Sequence, residues 1–229
     1  MSLYIVSTPI GNLRDITLRA ANVLLSSNII IAESTSKAGI LLDFLKKQFP
    51  DVSATDKQII SLTEDEEEQK IPSILRTIEV NDVVLISEAG TPLISDPGFK
   101  LVREAIKRGI NIVSIPGPTA AITALTASGL PPDKFLFLGY LPKKGGKQHE
   151  VLLNLKTIQT IMSITAIIYE SPHRLVETLR TIQIVFGDIN IVIARELTKI
   201  HEEIRREMVS ESIKHFEKKQ PKGEFVILI

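Results

Sequence analysis

The sequence predicts an α/β protein of two domains, with a mostly parallel sheet in the N-terminal half and a mixed sheet in the C-terminal half. From Leu3 to Gly129 apolar, β-branched runs alternate with helical repeats, the order that builds parallel sheets with right-handed crossovers. After Leu130-Pro131-Pro132 that regularity ends, and the runs suit hairpins as well as crossovers. Within the first of these regions lies Ser87–Gly98, SEAGTPLISDPG, a rigid loop of small residues behind the apolar run Val83–Ile86. Loops in that position are where open α/β sheets hold ligands. The length of 229 residues suits two units of about 110 each. The boundary falls between Ile115 and Thr119, giving residues 1–115 and 119–229.

In chain order, Leu3–Val6 is a strand that stops at Thr8-Pro9-Ile10-Gly11-Asn12. Asp15 is placed to cap a helix over Ile16–Ser26, where Leu18, Ala21, Leu24 and Leu25 recur at helical spacing. Asn28–Ala32 is a second strand, closed by Glu33-Ser34-Thr35-Ser36, and Ile40–Phe49 a second helix. Gln58–Leu62 is a third strand, and the acidic cluster Glu64–Glu68 suits the first turn of a helix reaching Ile78. Strand Val83–Ile86, the SEAGTPLISDPG loop and the amphipathic helix Phe99–Arg108 follow, with Gly109 as its C′ residue. Asn111–Ile115 is a strand ending on Pro116-Gly117-Pro118, after which Thr119 opens a helix of small residues.

In the second half, Lys134–Leu138 reads as a strand, Gly139–Pro142 as a turn and Lys143–Lys147 as a flexible basic loop before a helix over Gln148–Gln159. Ile164–Tyr169 is a strand. Pro172 suits the first position of a helix to Phe186, and Ile189–Ala194 is the next strand. Glu202–Val209 fits strand and helix patterns equally; a strand is favoured because Ser210 resembles the cap of a helix over Glu211–Lys219. Glu224–Ile229 closes the chain.

Composition narrows the function classes. Twenty-seven basic residues balance 27 acidic ones, so any contact with nucleic acid must come from a local patch. Cysteine is absent, which removes disulfides and thiolate metal sites and fits a reducing cytoplasm. No apolar run reaches the roughly 18 residues that span a bilayer, and the start lacks the basic region of a signal peptide. No membrane association is therefore expected. Aromatic residues make up 5% of the chain and tryptophan is missing, so stacking platforms for bases are scarce.

Five loops follow apolar strands and carry Pro, Gly, Ser or Thr: Thr8–Asn12, Glu33–Ser36, Ser87–Gly98, Pro116–Ala121 and Glu170–Arg174. In a parallel sheet such loops gather at the carboxyl edge, and these five are expected to share one crevice. Neither a GxGxxG nor a GxxxxGK[ST] fingerprint is present, which turns the reading away from dinucleotides. A ligand recognised by backbone hydrogen bonds and apolar walls, such as an adenosine with an amino-acid tail, suits these loops better. The four histidines are scattered, without metal-ligand spacing, and no serine sits in a nucleophile elbow. Two charged sets stand at strand ends, Glu170-Ser171-Pro172-His173-Arg174 and Arg195-Glu196-Leu197-Thr198-Lys199. Lys143, Lys144, Lys147, Arg174, Arg195, Lys199, Arg205, Arg206 and Lys222 all lie in the second half, where they could form a phosphate-contacting face.

TPIGN, SEAGTPLISDPG, IPGPTAAITALTASGLP, GYLP, YESPHRL, RELTK and KGEF, in this order and spacing, resemble the bacterial 16S ribosomal RNA cytidine-2′-O-methyltransferases. That family belongs to the tetrapyrrole-methylase-like, class III methyltransferases. The resemblance implies S-adenosyl-L-methionine bound in a cleft between two α/β domains, a homodimer, no metal, and 16S rRNA of the small ribosomal subunit as partner. It implies cofactor contacts from Pro9, Ile10, Gly90, Thr91, Ile94, Thr119, Ala120, Tyr169, Ala194 and Gly223. Glu170, Glu196 and Arg195 would stand on the catalytic side, and Arg174, Lys199 and Lys222 would face the RNA. The chain departs from relatives at Ser34 and Ser36, where E-D-T-R is usual, at Glu88, in the acidic stretch Thr63–Gln69 and in ending without a small C-terminal extension. These departures leave two alternatives: the same fold and cofactor acting on a tetrapyrrole or other small molecule, or a non-catalytic RNA- or ribosome-binding relative.

Overall fold

A computed structural model describes residues 1–52 and 56–229 and divides into two units, Met1–Thr119 and Ala120–Ile229. The first contains β1 (Ser2–Val6), α1 (Leu18–Ser26), β2 (Ile29–Ala32), α2 (Thr35–Gln48), β3 (Gln58–Ser61), α3 (Glu67–Val80), β4 (Val83–Ile86), α4 (Phe99–Lys107) and β5 (Asn111–Ile115). The strands form one parallel sheet in the order β3-β2-β4-β1-β5. Strands β2 and β4 are buried at every position, as expected of a parallel sheet covered on both faces. Alternate residues feed two cores. Ile30, Val84 and Ile86 join Leu24, Leu41 and Leu45 on one face; Ile31, Val83 and Leu85 join Ile74, Ile78 and Leu101 on the other.

The helix starts differ from the sequence reading, because hydroxyl caps act where other starts were expected. Thr17, not Asp15, caps α1, its hydroxyl accepting from the Ala20 amide at 3.1 Å, while Asp15 ends a short 3₁₀ turn over Leu13–Asp15. Ser34 caps α2, which therefore begins at Thr35, five residues before the expected start at Ile40. Glu67 does more than open α3. Its buried Oε1 accepts the amides of Gly98 (3.2 Å), Lys100 (3.0 Å) and Leu101 (3.2 Å), satisfying the otherwise open start of α4. A Glu67→Ala variant should lose about 2 kcal/mol of stability, read as a lowered midpoint in urea unfolding.

The second unit contains α5 (Ala120–Ser128), β6 (Phe135–Tyr140), α6 (Gly145–Ile161), β7 (Thr165–Glu170), α7 (Leu175–Phe186), β8 (Asn190–Arg195), β9 (Glu203–Met208), α8 (Val209–Lys218) and β10 (Phe225–Leu228). Its sheet runs β6-β7-β10-β8-β9, parallel between β6 and β7 and antiparallel elsewhere. The expected turn after Leu138 is replaced by strand. A bulge between Phe137 and Gly139, with Gly139 at φ 60°, carries β6 on to Tyr140. The basic segment is also shorter as a loop than expected, since α6 starts at Gly145. Pro172 lies in a turn ahead of α7, and Ser210 lies inside α8, bonded to Asp188 at 2.9 and 2.8 Å. Strand β9 is observed as favoured. Its Arg205 bridges Glu203 and Glu207 on one face of this edge strand, charges that discourage edge pairing with another chain.

Candidate functional site

In the first unit the loops after β1, β2, β4 and β5 leave the same edge of the sheet, because every strand there is parallel. The fifth loop, Glu170–Arg174, leaves β7 in the other sheet, so the five do not gather on a single sheet edge as expected. Within the first unit three loops are tied together by hydrogen bonds. Thr8 and Gly90 form an antiparallel bridge, amide to carbonyl in both directions at 2.8 and 3.0 Å. The Ser7 hydroxyl donates to Thr91 Oγ1 at 3.1 Å, and Thr91 donates to the Pro118 carbonyl at 3.2 Å. Gly90, at φ 81°, holds a conformation that an L side chain rarely adopts, and a Cβ there would sit tightly, 3.2 Å from Ile10 Cγ2. Gly117 lies so close to Ser7 that a Cβ would meet the serine Cβ at 2.8 Å.

The same loop carries strain. Leu93 at φ 73° and Ser95 at φ 65° occupy the left-handed region, each costing about 1–2 kcal/mol. Beside it, at the ends of β2 and β4, Lys37 pairs with Glu88. Partial burial, reinforced by the Glu88 carboxylate, pushes the Glu33 carboxyl above its ordinary value; Lys37 opposes this and Glu64 adds to it. Charge thus collects on the β2 side. Pro9, Ile10, Gly90, Thr91 and Thr119 are uncharged, and Ile94 is exposed on the rim of that neutral wall.

In the second unit the carboxyl ends of β6, β7 and β8 share an edge with the starts of β9 and β10. Glu170 is buried there and fully engaged. Its Oε1 accepts the Ser171 amide at 2.8 Å, and its Oε2 accepts the Thr178 hydroxyl at 2.6 Å. Thr178 in turn accepts from Gln148 Nε2 at 2.8 Å, and the Arg174 guanidinium lies 3.7 Å from Glu170. Neither Gln148 nor Thr178 stood out in the sequence, since one polar residue within a helix resembles any other. The Tyr169 hydroxyl accepts the Ala121 amide at 3.1 Å, closing the first turn of α5 beside Ala120.

The second strained loop is Arg195–Lys199, with Glu196 at φ 49° and Thr198 at φ 64°. Arg195 donates to the Lys222 carbonyl at 2.7 Å and pairs with Glu203 at 3.3 Å. Glu196 Oε1 accepts from Lys199 (2.8 Å) and from the Glu224 amide (3.0 Å), while Oε2 has no hydrogen-bond partner among the described residues. Gly223, at φ 95°, lies flat against this side chain, and Ala194, paired with Val226, is buried in β8. Partial burial works to raise the Glu196 carboxyl, but Lys199, the Glu224 amide and Arg195 outweigh it and hold it below the ordinary 4.5.

Glu203 and Glu207 are likewise held low against burial, chiefly by hydrogen bonds from Arg205, with further help from Arg195 to Glu203 and Ser212 to Glu207. A carboxylate whose folded pKa is depressed contributes stability that is complete above the unfolded value and lost as pH falls through the folded one. Urea midpoints should therefore hold steady down to about pH 4.5 and then fall, and an Arg205→Gln variant should show a shallower fall.

Among the described residues, the non-glycine residues at positive φ fall in two loops at sheet edges, a pattern common in ligand-binding segments. Comparison with known proteins gives the chemistry. The profile described as Tetrapyrrole (Corrin/Porphyrin) Methylases matches residues 2–212. A protein of Thermotoga maritima named ribosomal RNA small subunit methyltransferase I is 41% identical over 228 residues, covering 99% of this chain and 97% of that one. Its namesake from Escherichia coli O157:H7 is 42% identical, covering 99% of this chain and 77% of its own length. Among solved structures, diphthine synthase superposes with a TM-score of 0.75 at 13% identity, covering 100% of this chain and 89% of that one, a likeness of fold alone. With a match that spans both sheets and both strained loops, the chain belongs to the tetrapyrrole methylase family, alongside the small-subunit ribosomal RNA methyltransferases I.

Proposed function

We propose that the protein transfers a methyl group from S-adenosyl-L-methionine to the ribose 2′-hydroxyl of a cytidine in the 16S rRNA of the small ribosomal subunit, acting as a cytoplasmic homodimer. The observation that carries this reading is the 41% identity, over 99% of the chain, to a relative named for small-subunit ribosomal RNA methylation. The loops fit the cofactor. An uncharged wall with glycine at the closest approaches suits a positively charged sulfonium and a nucleoside, and would serve a pyrophosphate poorly. Pro9, Ile10, Gly90, Thr91, Ile94 and Thr119 in the first unit, and Ala120, Tyr169, Ala194 and Gly223 in the second, are assigned to hold it. When bound, it supplies an electrophilic methyl group.

The residues of the chain then have limited work to do. They position the acceptor hydroxyl in line with the methyl group and exclude water. As the new carbon–oxygen bond forms, the hydroxyl proton becomes strongly acidic, so a carboxylate with a depressed pKa is base enough to take it. Glu196 Oε2 is assigned that role, with Arg195 fixing the loop that carries it. Glu170, with both oxygens engaged, is assigned a positioning role.

Incubation with methyl-labelled cofactor and unmodified small subunits, followed by mapping of the labelled nucleotide, tests the reading. Label on one cytidine ribose is the expected result. Label on a tetrapyrrole but never on RNA would move the protein to the small-molecule alternative, and absence of cofactor binding would favour the non-catalytic one.

A further inference from the structure

Nine cations of the second half were candidates for a phosphate-contacting face, and the structure sorts them. Five are spent inside the fold. Arg174 donates to the carbonyls of Leu141 and Pro142, Arg206 to those of Ala127 and Ser128, and Arg195 to that of Lys222. Lys199 pairs with Glu196 and Glu224, and Arg205 with Glu203 and Glu207. The side chains of Lys143, Lys144, Lys147 and Lys222 have no hydrogen-bond or ion-pair partner among the described residues. Three of these four lie within five residues of one another, all exposed.

The segment that displays them is held at both ends. Arg174 grips the two carbonyls immediately before Lys143, at 2.9 and 3.2 Å. One residue after Lys147, the buried Gln148 is bonded to Thr178, which is bonded to Glu170. One buried carboxylate therefore anchors both ends, through Arg174 on one side and Thr178 on the other. Three like charges within five residues repel one another, a cost that no ion pair among the described residues offsets. A polyanion would offset it, and the chain's zero net charge leaves long-range attraction to such a patch.

Resting on the proposed function, we infer that Lys143, Lys144 and Lys147 form the grip on the phosphate backbone of the acceptor RNA. The patch contacts phosphates and reads no sequence, so it sets affinity while the site loops choose the nucleotide. Phosphate neutralisation releases counterions. Removing three contacts should therefore lower the slope of log affinity against log salt by about 2–3, and affinity at 0.1 M salt by roughly tenfold to a hundredfold.

The test is binding of unmodified small subunits to the wild type and to a Lys143→Ala/Lys144→Ala/Lys147→Ala variant across a salt series. Calorimetry of S-adenosylmethionine and labelled methyl transfer would run in parallel. The expected result is weakened, less salt-dependent subunit binding with unchanged cofactor affinity, and turnover restored to within about twofold at saturating subunit. Equal affinity and equal salt slope in the two proteins would overturn the inference, as would a wild type that binds no subunits. A wild type that binds subunits through these lysines yet transfers no methyl group would remove the proposed function and leave the grip standing.

Discussion

Replacing Gly223 by alanine should cost about 3 kcal/mol of stability and most of the methyl transfer. The residue sits at φ 95°, where an L side chain is strained by about 1–2 kcal/mol, and its Cβ would lie 2.5 Å from both Cγ and Cδ of Glu196. Glu196 cannot swing aside cheaply. Its amide donates to the Glu224 carbonyl at 3.0 Å, its Oε1 accepts the Glu224 amide at 3.0 Å, and Lys199 holds the same oxygen. The overlap therefore moves a backbone-pinned loop, adding about 1–3 kcal/mol. A Gly223→Ala/Glu196→Ala double variant gives the check. Removing the side chain that is struck should recover the overlap part and leave the backbone strain, so the pair should couple by at least 1 kcal/mol in urea unfolding. Strict additivity would show that the two residues do not meet.

Truncating Glu170 to alanine should be the other large effect, about 3 kcal/mol, because it strands the Ser171 amide and the Thr178 hydroxyl in a buried place. Glu170→Gln keeps the shape and one good acceptor, and should cost about 1 kcal/mol. The pair also separates positioning from proton transfer. If Glu170 only organises its surroundings, the glutamine variant keeps turnover at saturating subunit within a few fold, while the alanine variant raises the subunit concentration needed for half-saturation. A loss of turnover as complete with glutamine as with alanine would instead make the carboxylate a proton carrier.

How much of this was legible in the sequence depended on distance along the chain. Strands Val83–Ile86 and Asn111–Ile115 were readable to the residue, since continuous β-branched runs bounded by Gly, Pro or Asp admit few other readings. The start of α2 was not, because Ser34 looked like loop until its hydroxyl was seen closing the first turn. The strand beyond Leu138 was hidden by Gly139, which signals a turn but here makes a bulge. Long-range partnerships had no local trace. Glu67 reads as an ordinary acidic helix start, yet it closes a helix more than thirty residues later. Glu170 read as a site carboxylate for a sound reason, its place at a strand end, and only its bonds to Ser171 and Thr178 show it occupied. The uncharged loops, by contrast, were legible in the sequence, where glycine, proline and threonine follow apolar strand runs.

The bridge between Thr8 and Gly90 has a kinetic side. Two loops that would otherwise wander are hydrogen-bonded to each other as firmly as neighbouring strands, and Thr91 ties in the third. On the proposed function, a cofactor meeting this wall would find it already ordered and would surrender little conformational entropy on arrival. Association there would not wait for a loop to fold, and discrimination between the cofactor and its spent, demethylated form would then rest on how long each stays.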